Sequence, residues 1–192
     1  MFARSLQRFS VTILLAALPI VSAAELRPGE VSALRFRDVD GNEHSTADGH
    51  VTIITIVTRE NEAGAQAVGD SVPDYCKGNP RYRYITLVNF ERKLPAPLRG
   101  LTRTIIRNRL DAEARKMRPG YQAKRIPRDP RKDIFVIADF DGNAVGQFGL
   151  KPEEAGLVVF VFNPRGRLIA RWDEVPSEEA LAKAIAAADR GR

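Results

Sequence analysis

Val51-Thr52-Ile53-Ile54-Thr55-Ile56-Val57-Thr58 is an unbroken run of β-branched residues with no charged position. β-Branched side chains favour the extended chain, where they pack against neighbours on a pleated surface. A strand with one face in water alternates apolar and polar residues, and this one does not. It must be buried on both sides of a sheet. That requirement narrows the fold class to α/β, with a central sheet covered on both faces.

Other segments supply the partners. Leu34 and Phe36 alternate with polar residues ahead of Asp40-Gly41-Asn42, a turn signal. Tyr84–Val88 reads as a second strand of this kind, buried on both faces. Ile134–Ala138 reads as a third, closed by Asp139-Phe140-Asp141-Gly142-Asn143. Leu157–Phe162 is a fourth, and Asn163-Pro164-Arg165-Gly166 is short enough to turn it into an antiparallel hairpin with Leu168–Trp172. Between the first two central strands, Ala65, Val68, Val72 and Cys76 recur at helical spacing, with Pro73 expected to kink or shorten the helix. A last helix is expected from Ser177, an N-cap residue, with Glu178 and Glu179 in its first turn and Leu181, Ala184, Ile185 and Ala188 on its buried face. This order implies a mixed sheet with helices on both faces, and no internal repeat interrupts it.

At 192 residues and 44% hydrophobic content the chain fits one folded domain. Residues 1–24 stand apart from it. Arg4 and Arg8 precede the apolar stretch Val11–Val21, and Ser22-Ala23-Ala24 offers small residues for cleavage, the order of a secretory signal peptide. Cleavage after Ala23 or after Ala24 fits equally well. The competing reading is a membrane anchor, but a span needs about 20 apolar residues and this run is shorter. A periplasmic or secreted mature chain without a transmembrane span is expected, comprising residues 25–192. The full-length net charge of +6 then becomes +4. With one cysteine, Cys76, no internal disulfide can form even in an oxidising compartment.

Four stretches in this order resemble the thioredoxin-like superfamily. The similarity is to its exported branch, which holds the thiol-specific antioxidant (peroxiredoxin-type) proteins and the TlpA and ResA type thioredoxins. Asp38-Val39-Asp40-Gly41-Asn42 through Gly49 resembles the leading hairpin, and Pro73 sits where the first helix is often kinked. Asp139-Phe140-Asp141-Gly142-Asn143 with Phe148-Gly149-Leu150, and Phe160-Val161-Phe162-Asn163-Pro164-Arg165-Gly166-Arg167, resemble two later family segments. The resemblance covers most of residues 31–190. It implies a thioredoxin-like three-layer sandwich, interrupted by a basic helical insertion at about residues 92–132.

What the resemblance implies about chemistry fails at the site itself. Counting from Gly49 places the family's Cys-x-x-Cys near Asn61 and Gly64; counting back from Pro73 places it near Ala65 and Val68. Neither register contains sulfur. The family's cis-proline position corresponds to Leu157, expected to be trans because a non-proline cis bond costs about 2.5–4 kcal/mol. Thiol chemistry draws on a thiolate formed at a helix N-terminus, and here that place offers Thr58, Arg59, Asn61 and the carboxylates of Glu60 and Glu62.

The remaining candidates are few. Cys76 is the only redox candidate, and its place on the apolar stripe reads as core. His44 and His50 lack a further ligand at metal-binding spacing and read as solvated turn residues. Asp139-x-Asp141-Gly142-Asn143 echoes the start of a calcium loop but follows a strand and reads as a turn. No metal or cofactor is expected.

Charge gives the strongest positive signal. Residues 92–132 carry ten Arg and four Lys against Asp111, Glu113 and Asp129, a net +11 that leaves the rest of the mature chain at −7. Leu98, Leu101, Ile105 and Leu110, with Ile106 beside them, form a helical apolar stripe between Leu98 and Met117, and Arg99, Arg103, Arg107 and Arg109 project from its other sides. Such a helix can simply cover the sheet and leave its basic face in water. It can also contact an acidic protein or an anionic envelope surface, including peripheral contact with a membrane. Nucleic acid is not expected for an exported chain, and the segment, with Tyr121 as its one aromatic, also lacks stacking platforms. The sequence thus favours a non-catalytic binding module using the basic helix. The alternative is a thiol-dependent oxidoreductase or peroxidase-like antioxidant protein using Cys76.

Overall fold

The computed structural model describes residues 25–90 and 94–191. The expected signal peptide, and Arg92 and Lys93 of the insertion, lie outside the described residues. In chain order the elements are β1 (Arg35–Arg37), β2 (Glu43–Ser45), β3 (Val51–Thr58), α1 (Glu62–Ser71), β4 (Tyr82–Asn89), α2 (Ala96–Ala123), β5 (Phe135–Asp139), α3 (Asn143–Gly146), β6 (Val158–Phe162), β7 (Leu168–Trp172) and α4 (Glu178–Arg190). The main sheet has five strands in the order β5-β4-β3-β6-β7. β3, β4 and β5 run parallel, while β6 and β7 are antiparallel to their neighbours. β1 and β2 form a separate two-stranded hairpin.

All eight residues of β3 are buried, as the β-branched run requires. Its side chains feed two cores, one on each face of the sheet. On one face Ile54 and Ile56 join Phe36, Ile85, Leu87, Val145, Phe148, Phe160 and Phe162. Phe148 stacks against both Phe36 and Phe160, at ring separations of 5.6 and 4.7 Å. On the other face Val51 and Ile53 meet Val68, Val72 and Cys76 together with Leu181, Ala184, Ile185 and Ala188 of α4. α4 starts where Ser177 predicts, its hydroxyl accepting a hydrogen bond from the Ala180 N–H.

Three expectations need correction. The helix after β3 does not reach Cys76: α1 ends at Ser71, and Pro73 starts a separate 3-10 turn, Asp74–Cys76, because proline cannot continue the hydrogen-bond ladder. His44 is not a solvated turn residue. It is buried, with Nε2 2.8 Å from an Asp38 carboxylate oxygen and its ring edge-on to Phe135. Tyr82–Asn89 is not covered equally on both faces, since its burial alternates.

The insertion is α2, 28 residues beside the β5 end of the sheet. A second 3-10 turn, Pro130–Asp133, returns the chain to β5. The Arg131 guanidinium ties these pieces together, donating to Asp40 in the β1–β2 turn at 2.6 Å and to Asp111 of α2 at 2.8 Å.

Since Ile56 is fully buried at the centre of β3, Ile56→Ala should destabilise the fold by about 2–5 kcal/mol. Urea unfolding followed by circular dichroism measures this, and a change under about 1 kcal/mol would contradict the packing described.

Candidate functional site

The C-terminal end of β3 and the first turn of α1 form the place where the resemblance puts chemistry. Asn61 organises it. Its side-chain oxygen accepts from the Thr58 N–H at 2.6 Å and lies 3.2 Å from the Thr58 hydroxyl, so both polar groups of the strand end are engaged. The Thr58 hydroxyl in turn accepts from the Glu60 N–H at 3.3 Å. Arg59, Glu60 and Glu62 are exposed around this turn. On the facing side, Leu157 closes against α1: a β-carbon placed on Gly64 would come within 2.7 Å of Leu157 Cδ1. A side chain at 64 would make the end of Leu157 shift from this position. No peptide bond among the described residues is cis. This junction carries hydroxyl, amide and carboxylate groups, but no thiol.

Cys76 lies past the other end of α1, a helix about 15 Å long at 1.5 Å per residue. It is 6% exposed among Val51, Ile53, Val68 and Val72. Burial pushes its thiol up to about 12, against the partial opposition of a hydrogen bond with Tyr75. At pH 8 such a thiol is about one part in 10⁴ thiolate.

The four arginines singled out in the sequence sit on α2, whose expected apolar stripe is split, with Ile106 and Leu110 half-buried against the protein. Leu98, Leu101 and Ile105 face solvent, while three of the arginines fold onto the protein. Arg99 donates to the Leu94 carbonyl at 2.8 Å and lies 3.4 Å from Asp141. Arg107 donates to the Val39 carbonyl at 2.7 Å, with Asp40 at 3.5 Å. Arg103 places its guanidinium 5.1 Å from the Phe140 ring centre, and Arg99 lies 5.9 Å from the same ring. Arg109 is exposed and has no partner among the described residues. Only Ala114 and Tyr121 of α2 are fully buried.

Between α2 and the β1–β2 turn lies an open cleft lined by Arg37, Asp38, Val39, Gly41, Arg103, Arg107 and Ala138. Asp38 is committed inward. Burial opposes its ionisation, but hydrogen bonds from His44, Asn42 and the Asn42 N–H hold its carboxyl below the usual range. Asp40 serves Arg107 and Arg131. The other histidine, His50, pairs with Asp48, which also receives Arg83 at 2.7 Å. Asp139 is used by its own turn, accepting from the Gly142 and Val145 N–H groups. Among the described residues no group of three or more His, Cys, Asp and Glu could hold a metal ion. Sequence reading missed the partners that turn the arginines inward, namely Phe140, the Val39 carbonyl, Asp40 and Asp141. The two Asp-Gly turns that carry the carboxylates were visible, but their position beside α2 was not.

The strand order, the parallel β3-β4-β5 unit, the antiparallel β6–β7 hairpin and the closing helix make this a thioredoxin-like fold. Solved structures agree. A secreted thiol-disulfide isomerase from Corynebacterium glutamicum superposes with a TM-score of 0.52 at 10% identity, covering 83% of this chain and 86% of its own. A peroxiredoxin-like protein from Aquifex aeolicus gives 0.50 at 14% identity, covering 87% and 90%. At these identities the likeness is one of fold. The sequence matches no protein-family model and no curated protein.

The buried thiol has two measurable consequences. Cys76 should react with a thiol reagent at least a hundredfold more slowly in the native protein than in denaturant; equal rates would contradict its burial. Between about pH 9 and about pH 12 the unfolded chain releases a proton that the folded chain keeps, so stability falls as pH rises through this window. Cys76→Ala should remove that component of the alkaline decline in urea titrations, and an unchanged decline would assign it elsewhere.

Proposed function

We propose that this chain is an exported thioredoxin-like protein that acts by binding rather than by thiol chemistry, with the basic segment around α2 as its contact region. Export is supported by the order of Arg4, Arg8, the apolar Val11–Val21 stretch and Ser22-Ala23-Ala24. The observation that carries the non-catalytic reading is the location of sulfur. The sole thiol is packed in the core with its ionisation suppressed, and the β3–α1 junction has none. Disulfide exchange and peroxide reduction both begin with attack by an accessible thiolate. Neither can start at this junction.

The positive part of the reading is electrostatic. A segment of net +11 in a mature chain of +4 concentrates a field that attracts anionic partners. The structure divides the candidate contacts by availability. Arg99 and Arg107 are held by protein carbonyls and carboxylates, whereas Arg103 has an aromatic ring but no anionic partner and Arg109 has no partner among the described residues. Arg103 and Arg109 are thus the residues of the four best able to meet an acidic protein or an anionic envelope surface.

The purified chain 25–192, which holds the whole sheet and both cores, should bind poly-L-glutamate or phosphatidylglycerol vesicles at 0.15 M salt and release them by 0.5 M. Arg103→Glu combined with Arg109→Glu should weaken that binding at least tenfold, a difference of about 1.4 kcal/mol. Failure to bind either probe at 0.15 M, or binding indifferent to salt and to these changes, would overturn the reading.

A further inference from the structure

We infer that Leu98, Leu101 and Ile105 form a lipid-inserting ridge that docks α2 on the surface of an anionic bilayer. This rests on the electrostatic reading above and names its partner. Positions 98, 101 and 105 fall within about 60° of helix arc at 100° per residue, so the three side chains form one continuous line about 10 Å long. They are 48%, 60% and 46% exposed, and they make up half of the six exposed large hydrophobic side chains among the described residues. Nothing among those residues covers them. The ridge is also convex, unlike a cavity that would receive a small ligand.

The surroundings of the ridge select the occupant. From Ala96 to Leu110 there is no acidic residue. Arg109 follows Ile105 by one helical turn and so continues the ridge. Basic side chains at this position can extend to lipid phosphates while the apolar line enters the boundary between headgroups and acyl chains. A second copy of the chain would bring a second +11 segment against the first, which like-charge repulsion disfavours. No described helix is long and apolar enough to cross a membrane, so the contact is peripheral. The carboxylates near α2 do not neutralise this face. Asp40 and Asp141 lie on the opposite, inward side with Arg107 and Arg99; Asp111 is taken by Arg131, and Glu113 by Lys116.

Co-sedimentation of the 25–192 chain with phosphatidylglycerol vesicles and with neutral phosphatidylcholine vesicles tests the inference. Binding is expected to the anionic vesicles, and Leu98→Ser/Leu101→Ser/Ile105→Ser should weaken it at least tenfold without changing net charge. These side chains are exposed, so the variant is expected to fold; circular dichroism verifies this. A second measurement reports insertion directly. In a Trp172→Phe background, Leu101→Trp should shift its emission to the blue on binding anionic vesicles. Equal binding by the serine variant, no blue shift in the bound state, or no binding to anionic vesicles overturns the ridge. If charge reversal still abolishes binding while the serine variant does not matter, the electrostatic reading survives and the ridge alone falls. If the protein binds poly-L-glutamate and no vesicle, its partner is an acidic protein.

Discussion

The structure depends on the double burial of β3. Every residue from Val51 to Thr58 is inside, so neither face of the strand can be left to water. The parallel pairing with β4 and the antiparallel pairing with β6 satisfy the backbone of β3. The Phe36, Phe148 and Phe160 stack covers one side, and α1 with α4 covers the other. This constraint also positions the β3–α1 junction, at the C-terminal end of the central strand of the sheet. The junction is ordered by Asn61 and closed by Leu157 against Gly64. Its geometry is maintained without a thiol.

The central strands were legible because composition and burial agree. The β-branched run at 51–58 and the hairpin turn at Asn163–Gly166 allow few alternatives. The burial of Cys76 was also legible from spacing, although the continuity of its helix was not. The 3-10 turn after Pro73 returns the cysteine to the same core that an unbroken helix would have reached, so the periodicity survives while the hydrogen bonding changes. His44 escaped because its partner, Asp38, lies across a turn that reads as solvated in isolation.

The orientation of α2 was the least legible feature. A periodic apolar stripe reveals that a helix has two faces, and by itself leaves open which one meets the protein. Here the inward choice is made by groups remote in sequence: Phe140 under Arg99 and Arg103, the Val39 carbonyl for Arg107, and Asp40 and Asp111 around Arg131. The guanidinium groups of Arg99 and Arg107 meet carbonyl and carboxylate acceptors, and those of Arg99 and Arg103 lie over the Phe140 ring. Leu98, Leu101 and Ile105 are left facing outward, while Ile106 and Leu110 stay half-buried. The same contacts that attach the insertion to the scaffold therefore create its exposed hydrophobic edge.

The most direct test of the central claim is turnover. Purified 25–192 chain should reduce neither a protein disulfide nor hydrogen peroxide above the background rate when supplied with excess dithiol, and Cys76→Ser should leave that rate unchanged. Sustained turnover that Cys76→Ser abolishes would contradict the account, because the buried thiol would then have to reach substrate and ionise during the reaction.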